Sequence, residues 1–138
     1  MQDTRLFERY LAGVAAIGCI VFTVIIWLNV ETVQAMWPLP ALYLIEAALL
    51  SLVAALGFIW AGRRGRAVSW AAAGMLTAFS ILGLFSVGAL YLPTVFLMLA
   101  VCISADLRNK SGTLLHLGLF LLAGLAQAGL MLLVSGML

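Results

Sequence analysis

Charge is the scarcest commodity in this chain: 9% of its 138 residues are Asp, Glu, Lys or Arg, while 66% are hydrophobic. A water-soluble domain carries about 25% charged residues, because it must cover its surface. That shortage excludes a water-soluble fold. Lipid is the solvent that removes the requirement, and the mean hydropathy of +1.23 agrees.

Cysteine and histidine are almost missing. Cys19 and Cys102 both sit inside apolar runs, at different expected depths. A disulfide needs Cα atoms within about 7 Å, so we expect both to be small packing residues. With one histidine, His116, no Cys/His cluster has metal-site spacing. A Gly-rich phosphate loop and a nucleophile–base pair are also absent, and no long polar stretch could house an active site outside the membrane. We expect no enzyme, no cofactor and no metal. The net charge of +2 comes from the loops and reads as topology, so nucleic acid is not an expected partner.

The charges that are present are ordered. All seven basic residues fall in three clusters, Arg5/Arg9, Arg63/Arg64/Arg66 and Arg108/Lys110, separated by apolar sequence. We expect a first helix over 6–30 behind a charged lead-in. The run Leu11–Val30 is longer than the 7–15 residues of a signal-peptide core, so a retained helix is expected. An extended loop at Met36-Trp37-Pro38-Leu39-Pro40 follows, then a helix over 40–62 and a tight basic turn at 62–66. From Ala67 to Ala105 there are 39 residues without a charge. As one helix they would reach about 58 Å, twice the hydrocarbon thickness. Ser86, Gly88 and Pro93 mark the reversal, giving helices over 67–88 and a short 90–105. Asp106 to Gly112 forms the next turn, and a last helix covers 113–136.

The expected fold class is therefore an all-α integral membrane protein, one domain over 1–138, a compact bundle of five transmembrane helices. Four spans plus a re-entrant 90–105 is the alternative. Five spans put the N-terminus inside, the C-terminus outside and every basic residue in the cytoplasm. Aromatics suggest the same boundaries: Trp27, Trp37, Tyr43 and Tyr91 at the outer one, Tyr10, Trp60 and Trp70 at the inner one.

Glu46 is the one acidic residue inside an expected span, about 9 Å down its helix from Pro40. A carboxylate costs about 2.5 kcal/mol or more at the centre of a bilayer, so it should face the bundle. Thr23, Ser80 and Gln127 fall at a similar depth. We expect Thr23, Glu46, Ser80 and Gln127 to form a polar layer; the bland reading has Glu46 snorkelling and the others gluing helices. His116, in the first turn of the last helix, is expected at the interface, on a face shared with Phe120, Ala123, Gly124 and Gln127 that is expected to pack inward. Small residues recur at four-residue spacing, as Ala12/Ala16, Ala47/Ser51/Ala55, Gly74/Ala78 and Gly124/Ala128. Such stripes let helices approach closely, within this bundle or against another protein.

The stretches Trp37-Pro38-Leu39-Pro40-Ala41-Leu42-Tyr43-Leu44-Ile45-Glu46 and Phe85-Ser86-Val87-Gly88-Ala89-Leu90-Tyr91-Leu92-Pro93 resemble a loose group of small multipass bacterial membrane proteins. The resemblance implies a bacterial inner (plasma) membrane location and transfers no activity. Small multidrug transporters also carry one membrane glutamate, but in the first of four spans.

Three functions follow as expectations. The first is a non-catalytic accessory or scaffold subunit, with a membrane-protein partner or copies of itself. The second is a small oligomeric transporter or channel using Glu46. The third is a lipid- or quinone-binding protein using grooves beside the fourth helix.

Overall fold

The computed structural model describes residues 2–29, 39–59, 63–84, 87–110 and 112–136. Five α-helices account for most of them: α1 (Gln2–Leu28), α2 (Leu39–Ile59), α3 (Arg63–Leu82), α4 (Leu92–Asn109) and α5 (Thr113–Gly136). A single 3₁₀ turn, Gly88–Tyr91, leads into α4, and no strand occurs among the described residues. Four stretches are long and apolar enough to cross a membrane: Arg5–Leu28, Ala41–Ile59, Gly88–Asn109 and Thr113–Gly136.

The helix ends differ from expectation where polar residues turn out to be held. α1 starts at Gln2, so the charged lead-in is itself helical. Arg63–Arg66, expected as a turn, is the first turn of α3. α3 stops at Leu82 and not at 88, because the chain reverses on two glycines. Gly88 N–H donates to Gly83 O (2.8 Å), and a Cβ on Gly88 would fall 2.5 Å from the Gly83 carbonyl carbon. α4, expected to be short, continues through Asp106 to Asn109. Asn109 Nδ2 donates to Ala105 O (2.6 Å), and Lys110 ends the helix in the left-handed region at φ 47°. α5 occupies 113–136 as expected. The expectations for Glu31, Met36, Trp37, Pro38, Trp60 and Ser86 lie outside the described residues.

The helix order in space is a ring with an appendage. α1 packs on α2, α2 on α3, α3 on α4 and α4 back on α1; α5 packs almost entirely on α3. α3 is therefore the hub. It is not among those four stretches, because Arg63, Arg64 and Arg66 occupy its first turn; beyond them Ser69, Trp70, Ala72, Ala73, Leu76, Phe79 and Ser80 are buried against protein. A side chain that meets protein need not be soluble in lipid.

The core is thin. Alanines at 12, 15, 16, 54, 55, 72, 73 and 105 pack around Phe58, Trp70 and Met98 near the basic end. Cys19, Leu44, Ala47, Leu76, Phe79, Tyr91 and Val95 fill the other half. Small side chains let backbones come close enough for dispersion to hold helices that gain nothing from leaving lipid. The predicted stripes serve this packing: Ala12, Ala16, Ala47, Ser51 and Ala55 are all buried. Gly74 lies against the Phe120 backbone, with no room for a Cβ, and a Cβ on Gly124 would approach Gly74 O to 3.1 Å. On α2, Gly57 leaves the space that Ser69 Oγ uses to donate to Ala54 O (2.8 Å).

Candidate functional site

Two polar centres lie at opposite ends of the bundle. In the half away from the basic residues, Gln127 Nε2–H donates to Glu46 Oε1 at 2.9 Å. Gln127 is buried and Glu46 half-buried. The bond joins α2 to α5, two helices that scarcely touch, so it reaches past α3. A carboxylate has room for about four such bonds; among the described residues Glu46 receives this one.

Thr23 and Ser80, the other two residues of the expected layer, are buried but satisfied elsewhere. Thr23 Oγ1 donates back to Cys19 O (2.9 Å). Having spent its one proton, it accepts from the Tyr91 hydroxyl at 2.8 Å. Ser80 Oγ donates to Leu76 O (2.9 Å) on its own helix. The four residues form one pair and two separate bonds. No hydrogen bond links Thr23 or Ser80 to Glu46 among the described residues.

The second centre was not expected. Asp106, assigned to a loop, is 0% exposed on the last turn of α4. His116 Nδ1–H donates to its Oδ2 at 2.7 Å, and Arg66 Nε stands 3.8 Å from its Oδ1. His116, expected at the interface, is 2% exposed. The Trp70 ring stacks on its imidazole with centroids 6.4 Å apart. Three helices, α3, α4 and α5, thus meet on one carboxylate. Beside them Arg108 Nη1 lies 2.6 Å from Glu8 Oε2, and Ser104 Oγ donates to Glu8 Oε1 (3.1 Å). This second cluster ties α1 to α4.

Two aromatic assignments also change. Trp70 and Tyr91, expected in the membrane boundary, are core residues. Tyr91 stands edge-on to Phe79 with centroids 5.5 Å apart. A turn composition around Asp106 and a boundary position for Tyr91 concealed their roles. The clue available in sequence was polarity that had to be satisfied: an Asp one helical turn beyond Cys102, and a His ten residues later on the next helix.

Cys19 and Cys102 are both buried and free, and among the described residues no group of His, Cys, Asp and Glu could hold a metal ion. Compared with family models, with curated proteins and with solved structures, the chain matches none of them.

Proposed function

We propose that this chain is a five-span protein of the bacterial inner membrane, acting as a non-catalytic accessory or scaffold subunit. The side that binds its partner is the outer face of α5. Five spans fit the alternation of the helices. Arg5, Arg9, Arg66 and Arg108 line one cavity, so the start of α1 and the two basic turns share an end of the bundle. That arrangement supports a cytoplasmic placement for them.

The observation that carries the docking role is the way α5 is attached. It buries only His116, Ala123 and Gln127, and it leans on a single neighbour. Glycines on its remaining surface have no packing duty inside the bundle: a Cβ at Gly118, Gly129 or Gly136 would meet nothing within 4 Å. Glycine costs about 1 kcal/mol in a helix relative to alanine, so glycines facing nothing suit a helix that receives another backbone. The test is the mass of the gently solubilised protein, with Gly129→Leu beside it. An oligomer or a stoichiometric complex lost on Gly129→Leu supports docking. A stable monomer with no co-purifying chain removes the proposal.

The Glu46–Gln127 pair favours one second reading, an oligomeric transporter or channel in which Glu46 takes up a proton or cation. Flux in liposomes that Glu46→Gln abolishes would support it; no flux in either protein excludes it.

A further inference from the structure

We propose that the basic end of the bundle holds a phosphate-binding site. The ligand is a phosphate group, carried by an anionic lipid headgroup or by a small phosphate compound. A cavity of about 230 Å³ opens there, lined by Arg5 and Arg9 of α1, Arg66 of α3, and Arg108 and Asn109 of α4, with Glu8 on its wall. Four guanidinium groups from three helices face one hollow. The volume falls below the roughly 300–1,000 Å³ of pockets for drug-sized ligands; a headgroup is the right scale.

Two features separate this hollow from an ordinary solvated row of arginines. First, its only acidic wall residue is occupied. Both Glu8 oxygens are engaged, one by Arg108 and one by Ser104, and Asp106 is turned to His116 and Arg66. The carboxylates therefore brace two of the arginines and leave the other two uncommitted. Among the described side chains, which begin at Arg5, no acidic oxygen lies within 4 Å of Arg5 or Arg9, and both are exposed. Second, the braced arginines keep unmet donors. Arg66 Nε and Arg108 Nε are enclosed yet lack a hydrogen-bond acceptor. Arg66 Nε, 3.8 Å from Asp106 Oδ1, is too far away to bond. Enclosed cationic donors without acceptors are costly. Phosphate oxygens match the planar fork of a guanidinium two at a time. Basic pockets between helices at a membrane surface are suited to phosphorylated headgroups.

The test uses the full chain in detergent. Native mass spectrometry follows retention of phosphatidylglycerol against phosphatidylcholine. A parallel thermal titration uses inorganic phosphate. Arg5→Gln/Arg9→Gln removes the two uncommitted arginines, and Arg64→Gln removes a charge that does not line the cavity. We expect retention of phosphatidylglycerol at least tenfold above phosphatidylcholine, or a saturable stabilisation by phosphate. The double substitution should weaken it about tenfold while Arg64→Gln does not. Preference for the lipid alone identifies a headgroup; saturation by inorganic phosphate identifies a soluble compound. Equal retention of both lipids with no response to phosphate overturns the proposal in the wild-type protein itself, as does an equal loss in Arg64→Gln.

Discussion

Gln127 donates to Glu46 across the flank of α3, linking α2 to α5, two helices that scarcely touch. A double-mutant cycle with Glu46→Leu and Gln127→Leu isolates this bond. Interhelical polar bonds in membranes average about 0.6 kcal/mol and reach about 1.7. We expect a coupling of about 1 kcal/mol in reversible unfolding from mixed micelles. A coupling of zero would mean the two side chains are held apart in the bilayer.

Asp106 is the knot of the basic end, since α3, α4 and α5 all reach it. Removing one partner of a buried ion pair costs about 3–5 kcal/mol. Asp106→Ala should approach that figure, because it strands both Arg66 and His116. His116→Ala should cost less, because Arg66 stays beside the carboxylate. Equal losses in unfolding measurements would contradict this ranking.

Glycines in the same chain should respond in opposite ways. Gly74→Ala places a methyl group in the Phe120 backbone, and overpacking costs about 1–3 kcal/mol. Gly118→Ala and Gly129→Ala meet open space and should change the stability of the isolated bundle by no more than about 1 kcal/mol, in the stabilising direction. Thermal unfolding of the three variants decides.

Lys110 holds a left-handed backbone at φ 47°, which costs a side-chain-bearing residue about 1 kcal/mol. Lys110→Gly removes that strain and should raise stability by up to that amount, less the entropy glycine adds to the unfolded chain. A clear loss of stability would show that the Lys110 ammonium makes a contribution its backbone conceals.

Cys19 and Cys102 are enclosed, so a new cysteine can report sidedness alone. Placed at Lys110 and at Ser135, it should react with an impermeant maleimide from opposite faces of a sealed vesicle. Labelling of both from one face would remove the five-span topology.

Helix number was legible because charge and turn residues punctuate the sequence, and α5 came out at its expected ends. The ends of α1, α3 and α4 were not: polar residues at the starts of α1 and α3 and at the end of α4 were read as loop, and the reversal at Gly83 and Gly88 came earlier than expected. Asp106 and Asn109 extend α4 because a partner on another helix and the preceding turn satisfy them, and Arg66 sits in the first turn of α3 beside the Asp106 carboxylate. Depth counted from Pro40 for Glu46 and from the basic end for Gln127 put the two in one layer, and they are hydrogen-bonded. It could not tell that Thr23 would pair with Tyr91, since a tyrosine near a helix end fits a boundary or a core equally well. Which helix becomes the hub was also hidden. The three arginines at the start of α3 lower its apolarity and say nothing of the neighbours that pack on it.

The ring of α1 to α4 closes without any residue beyond Asn109, so a chain inserted from its N-terminus can complete that unit before α5 is synthesised. The last helix would then be a late addition, clasped by His116 at one end and Gln127 at the other, and until it docked the flank of α3 around Gly74 would be open to any other helix.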